Sequence, residues 1–196
     1  YRVDAPSQGY EYLIRVAYQP AKTILLYAQY RQETKEINQK DNITPIDFLT
    51  PATRKNYILN LDYGALKFLT LQSRVQWSSY RQSNSRTQGY ALIQDVQLDL
   101  GRLSLSTRFA LFDTDDYENR QYVYEKDVLY AFSIPAYYER GTRHYLLLHY
   151  ALSKHLDLWT RFARTGLRNV DTMGSGLEEI NAPRRSEVKV QVRYKL

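Results

Sequence analysis

Residues 187–196 read EVKVQVRYKL and alternate without an error. Val188, Val190, Val192, Tyr194 and Leu196 fall on one face, and Glu187, Lys189, Gln191, Arg193 and Lys195 fall on the other. Successive side chains of a strand point to opposite faces, so this is a strand with one oily and one charged side. Which side faces inward decides the fold. In a soluble barrel the oily side is the core; in an outer-membrane barrel it meets lipid.

The same period recurs along the chain, near 10–18, 23–32, 56–63, 66–80, 88–100, 102–113, 143–152, 156–166 and 186–196. No 3.6-residue stripe competes over a comparable length, so the chain reads all-β. In LKFLTLQSRVQWSSY (66–80) one face carries Leu69, Leu71, Val75 and Trp77, against Gln72 and Arg74. GRLSLSTRFALF (101–112) opposes Leu103, Leu105 and Phe109 to Arg102, Ser104 and Arg108. KNYILNLDY (55–63) opposes Tyr57 and Tyr63 to Asn60 and Asp62, and GYALIQDVQLDL (89–100) opposes Leu92 and Leu98 to Asp95 and Asp99. LDLWTRFAR (156–164) sets Leu158 and Phe162 against Asp157, Trp159 and Arg161. Arg15 and Arg31 take the polar side of the first two segments.

Connections alternate as well. Short ones are expected near Pro20, Gly64, Gly101 and Lys154, and long ones over 33–55, 81–87, 114–142 and 167–185. With antiparallel neighbours, all short turns lie at one end of the sheet and all long loops at the other, the asymmetry of outer-membrane barrels. Most segments reach the roughly 9–11 residues a tilted spanning strand needs. The 19 tyrosines suit strands and also suit an interface that is apolar at one end and wet at the other. The expected fold is therefore an antiparallel up-and-down transmembrane barrel of about nine or ten strands within 1–196, in the bacterial outer membrane.

In that fold Tyr57, Tyr63, Leu69, Leu71, Val75, Trp77, Leu103, Leu105, Phe109, Val188, Val190, Val192 and Tyr194 face lipid or sit in aromatic girdles. Arg15, Arg31, Asp62, Arg74, Asp95, Asp99, Arg108, Arg161, Lys189 and Arg193 point into the lumen, where they either line a water-filled pore or pair across the interior and close it; mixed signs along neighbouring strands favour pairing. An odd strand count makes the first strand run parallel to the last. The chain is therefore expected to be the C-terminal part of a larger barrel, unless the apolar stretch 121–139 supplies a hairpin or a segment folded into the mouth. The opening YRVDAPSQGY is not a secretory leader, which fits a mature or trimmed chain.

Composition narrows function. No window is apolar enough for a spanning helix, and with no cysteine there is neither a disulfide framework nor a Cys-ligated metal. The net charge of +6 is spread at strand spacing, so nucleic acid is not an expected partner; lipid, other envelope proteins or the remaining barrel strands are. FDTDDYEN (112–119) gathers Asp113, Asp115, Asp116 and Glu118, a weak Ca²⁺ candidate without the glycine and distal Glu of an EF-hand loop. Asp113, Asp115 and Asp116 could meet His144 at the rim for hydrolysis, but nothing in the spacing brings them together, and Ser175 has no nucleophile elbow. No catalytic residue and no cofactor are expected. A soluble barrel holding an apolar ligand inside its oily face is the alternative, a rim hydrolase a further one.

The stretch from 112 to 165, above all DVLYAFSIPAYYERG (127–141), with MGSGLEEI (173–180) and SEVKVQVRYKL (186–196), resembles the C-terminal region of Bacteroidetes outer-membrane proteins that carry an N-terminal helix-hairpin-helix domain. The resemblance implies a barrel at the C-terminal end of a longer chain. It covers the second half better than the first, brings no catalytic residues, and carries over no DNA binding because no helix-hairpin-helix segment is present. A further departure is the final Leu196, where outer-membrane strands commonly end on an aromatic.

Overall fold

A computed structural model describes residues 3–39, 45–174 and 176–195. Leu196, Ser175 and part of the expected 33–55 loop lie outside the described residues. The strands are β1 (Gly9–Ala21), β2 (Ile24–Asn38), β3 (Leu49–Leu66), β4 (Leu69–Gln82), β5 (Ser85–Asp99), β6 (Leu103–Thr114), β7 (Gln121–Tyr122), β8 (Ala136–Tyr137), β9 (Arg140–Ala151), β10 (Leu156–Leu167) and β11 (Arg184–Tyr194). Nine of them form one up-and-down antiparallel sheet in the order β1-β2-β3-β4-β5-β6-β9-β10-β11, and β7 and β8 pair only with each other. The chain is all-β, as the period-two pattern required.

Residues at the strand ends refine the expected connections. Pro20 and Gly64 do not form turns: each lies within its strand at a register irregularity, between Tyr18 and Ala21 and between Gly64 and Leu66. Proline has no N–H for the ladder and glycine packs nothing, so both mark bulges as readily as turns. The turns themselves are residues 22–23 and 67–68, a step beyond each breaker. Gly101 does turn the chain, with φ 76° and no neighbour within 4 Å of where a Cβ would stand. At the other end the connection expected over 81–87 is only Ser83 and Asn84, because β4 and β5 keep pairing as far as Gln82 and Ser85. Ser83 closes this hairpin at φ 52°. The other three connections at that end are long: 39–48, 115–139 and 168–183.

Cross-strand register sorts every side chain onto one of two faces. Tyr30 pairs with Tyr57, Tyr57 with Trp77, Trp77 with Tyr90, and Leu92 with Leu111, so the apolar sets of neighbouring strands share one face, here the outer one. The chain between β6 and β9 covers the inner one. Packed beneath it are Ala91, Ile93, Ala110, Phe112 and Leu167 from the sheet with Val123, Tyr137 and Met173 from the loops. Tyr145, Leu147, Trp159 and Ala163 form a second cluster with Val128 and Leu129. Among the described residues each edge strand has a partner on one side only, β1 with β2 and β11 with β10, and β1 is exposed on both faces. Nine antiparallel strands leave these two edges running in the same direction.

Replacing Gly101 by Val should destabilise the sheet by about 1–2 kcal/mol, because a β-branched residue at positive φ is strained even in open space. Chemical unfolding of Gly101→Val beside Gly101→Asn checks this, with the asparagine variant closer to the parent.

Candidate functional site

Segment 115–139 runs across the inner face from β3 to β11, and two kinds of anchor hold it. Its first part is fixed mainly by capping, amide and hydroxyl hydrogen bonds, with one ion pair, Glu118 to Arg54 on β3. Asp116 caps a short 3₁₀ turn (Tyr117–Asn119) by accepting from the Asn119 amide, and also accepts from Thr87 Oγ1 at 2.7 Å. Asn119, fully buried, donates through Nδ2 to Thr87 Oγ1 at 2.7 Å, while Gln121 Nε2 donates to Ser78 Oγ at 2.7 Å. Gly89 lets the segment come this close: a Cβ there would stand 3.0 Å from the Asn119 carbonyl oxygen.

The second part is ionic. Glu125 has no solvent exposure and accepts four hydrogen bonds. Arg143 donates Nε to Oε1 at 2.7 Å and Nη2 to Oε2 at 2.8 Å, Arg161 donates Nη2 to Oε2 at 2.6 Å, and Tyr137 donates its hydroxyl to Oε1 at 2.8 Å. Burial pushes the Tyr137 phenol well above its ordinary range, so it remains a donor. Arg161 also donates Nε to the Lys126 carbonyl at 3.1 Å, and Asp127 receives Lys189 at 2.5 Å. Arg108 forks onto Asp95 at 2.5 and 2.6 Å and spends its remaining terminus on the Tyr124 carbonyl at 2.7 Å. Fork geometry of this kind is what guanidinium supplies and ammonium does not. The ring of Tyr145 lies within reach of both Arg108 and Arg161, at 5.7 and 5.2 Å.

The register places Arg15, Arg31, Asp62, Arg74, Asp95, Asp99, Arg108, Arg161, Lys189 and Arg193 all on the inner face. Their expected pairing with one another is corrected, because only Asp95 and Arg108 form an ion pair within the set. Arg31 pairs with Glu11, Arg161 with Glu125, Lys189 with Asp127 and Arg193 with Asp157. Arg15 stacks on Tyr27, and Arg74 donates to Asn60 and Tyr27. Asp62 accepts from Asn60 and Gln72, and Asp99 from Ser104. Neighbours are reached more easily than the far wall, and the folded segment brings acids of its own.

Glu125, Asp127 and Arg143 were not singled out in the sequence, and Asp157 was read only as part of its strand's polar face. For Glu125 and Asp127 the only signal was compositional: 113–142 carries seven acids against three basic residues, the reverse of the chain's overall charge.

The outer face carries Tyr57, Tyr63, Leu69, Leu71, Val75, Trp77, Leu103, Leu105, Phe109, Val188, Val190, Val192 and Tyr194. Tyr57 stacks on Trp77 at 4.9 Å and tilts against Tyr30 at 5.1 Å.

The Ca²⁺ candidate is not assembled. Asp113 turns to Arg140, Asp115 accepts from the Gln88 amide, Asp116 is used as a cap, and Glu118 pairs with Arg54 at 2.6 Å. No group of three or more acids or histidines able to hold a metal occurs among the described residues. His144 sits on the outer face against Phe162, opposite Phe109 and away from these acids, so the rim dyad is not formed either. His149 stacks on Trp159 at 4.5 Å and contacts Asp157 on the inner face.

Beside the segment a polar recess of about 460 Å³ stays open on the inner face, lined among others by Asp62, Gln72, Arg74, Asp95, Arg108 and Lys126. Burial pushes the Lys126 ammonium below its ordinary range, and its amine reaches Gln97.

No family model and no curated protein matches the chain. Among solved structures it is similar to the NanC porin, with a TM-score of 0.44 and 13% sequence identity over 96% of this chain and 94% of that one.

Glu125→Gln should cost about 3–5 kcal/mol, since removing one member of a buried charge cluster strands the others. Limited proteolysis is the check: cleavage within 115–139 should speed up before the sheet itself unfolds. Gly89→Val should loosen the same segment from its other end, by displacing Asn119.

Proposed function

We propose that this chain is a stretch of bacterial outer-membrane β-barrel wall, with its outer face in lipid and segment 115–139 narrowing an aqueous interior through which small polar solutes pass. One observation carries the reading: the sheet is inside out for a soluble protein. Arg108, Arg143, Arg161, Asp157 and Glu125 are buried, whereas Val16, Leu59, Phe109, Leu111, Val188 and Val190 are 42–70% exposed on the other side. A soluble chain folds the other way, because each apolar side chain left in water forfeits about 1.5–3 kcal/mol. In a bilayer the preference reverses.

The edges support the same reading. Unpaired N–H and C=O groups along β1 and β11 are untenable in hydrocarbon, so further strands of the same barrel, or of another envelope protein, would cover them. The resemblance of 127–141 and 173–180 to the C-terminal region of Bacteroidetes outer-membrane proteins agrees with a wall that continues beyond these nine strands. The soluble alternative would need its apolar face inward, and that is the face the loop does not cover. The proposed role is structural and transport-related, without catalysis.

Single-tryptophan variants reconstituted with brominated lipid test it. Trp77 should be strongly quenched and Trp159 weakly, since they occupy opposite faces. A protein that stays in solution without detergent, with neither residue quenched, would sink the membrane reading. In planar bilayers, Glu125→Gln should raise conductance if the segment constricts the interior; an unchanged conductance would confine the segment to a structural role.

A further inference from the structure

The outer face is not uniformly apolar. At its loop end a recess of about 460 Å³ opens among Lys55, Arg81 and Arg86, with Thr53, Ser79 and Asn84 around them and no acid in the lining. Arg81 and Arg86 stand directly opposite each other across β4 and β5. Lys55 faces Ser79 across β3 and β4, diagonal to Arg81, whose own partner there is Thr53. Like charges directly opposed in a sheet are destabilising. Arg86 donates to Ser79 Oγ at 3.2 Å, and neither Lys55 nor Arg81 has a side-chain hydrogen bond or ion pair to any described residue. Among the described residues no acid is paired with any of these three cations.

One step further along the same strands the chemistry changes. An apolar groove of about 410 Å³ runs between Ile14, Val16, Tyr30, Leu59, Val75 and Trp77. It is continuous in register with the basic recess: Tyr30 precedes Gln32 on β2, Lys55 precedes Tyr57 on β3, and Trp77 precedes Ser79 on β4, each at the next outward position. Two residues of strand span about 7 Å, so the cations begin about that far beyond the stacked Tyr57 and Trp77. Aromatic rings of this kind lie at headgroup depth in a bilayer.

We propose that the two hollows form one binding site for a phosphorylated lipid of the loop-side leaflet, with its phosphate among Lys55, Arg81 and Arg86 and an acyl chain along the groove to Val75. Arginine and lysine both recognise phosphate, and basic residues at the membrane surface add binding energy for anionic headgroups. The bound phosphate relieves the repulsion between Arg81 and Arg86. The proposal rests on the outer face lying in lipid, and the test separates the two.

The protein in mild detergent is titrated with phosphatidic acid, phosphatidylcholine or inorganic phosphate and followed by native mass spectrometry, with Trp77 quenching by brominated lipid read on the same preparation. Phosphatidic acid should bind in preference to phosphatidylcholine, and binding should weaken about fivefold for each cation changed to Gln. Arg81→Lys and Arg86→Lys should preserve it. In detergent without lipid, Arg81→Gln should unfold at a higher temperature than the parent, and this advantage should vanish when phosphatidic acid is added. Equal affinity for the two lipids, or undiminished binding by Arg81→Gln and Arg86→Gln, overturns the proposal while quenched Trp77 leaves the membrane reading standing. Binding of inorganic phosphate as tight as that of the lipid also overturns it, since the site would then take a free anion. Unquenched Trp77 removes both readings together.

Discussion

Glu125 holds the interior together. It reaches Arg143 on β9, Arg161 on β10 and Tyr137 on its own returning strand from a position without solvent, so one carboxylate ties two strands to the segment that crosses them. A buried ion is costly unless its hydrogen bonds are met, and the desolvation of two guanidinium groups is offset here chiefly by Glu125, which accepts from four donors, with Glu187 3.6 Å from Arg143 and Asp127 3.8 Å from Arg161. Among the described residues Arg161 Nη1 alone is left buried without a hydrogen-bond partner in this cluster. Around this point the rest is ordered: Phe112 stacks on Tyr137 at 5.0 Å, Tyr145 lies against both Arg108 and Arg161, and Asp127 extends the ionic line to Lys189 on β11.

The two anchors of segment 115–139 differ in kind. Amide and hydroxyl groups fix it at Ser78 and Thr87, where Gly89 removes the side chain that would keep it away. Charges fix it at β9 to β11, with further charged contacts from Arg54 on β3 and Arg108 on β6. Neutral hydrogen bonds set distance and orientation without a strong field, whereas the ionic anchor is less screened because it is buried. A segment held by both is a fixed partition of the inner face, with the open polar recess left on the side of Asp62 and Arg74.

The fold was legible because period-two patterning is local: each of the nine strands announces itself from its own residues, as 187–196 does most clearly. Which residues share a face was legible for the same reason. Pairing was not. Lys189 carries no mark that its partner is Asp127, 62 residues away, and Arg193 none that Asp157 receives it. Breakers were read too strongly: Pro20 and Gly64 interrupt the ladder without ending the strand, since a bulge absorbs a missing donor or side chain as well as a turn does. The loop expected at 81–87 shows the opposite error. Its polar residues suit solvent, but the backbone of Arg81 and Arg86 still pairs, and polarity alone does not end a strand.

The common direction of β1 and β11 limits how this sheet can associate with itself. Two copies inserted with the same orientation would bring β11 of one alongside β1 of the other as parallel neighbours, the less stable ladder and one foreign to this up-and-down arrangement. Like edges would pair antiparallel only if one copy were inverted across the bilayer, which would carry its long connections to the opposite surface. Side-by-side closure by duplication is thus disfavoured by direction alone, and an all-antiparallel ring through these edges needs an odd number of additional strands.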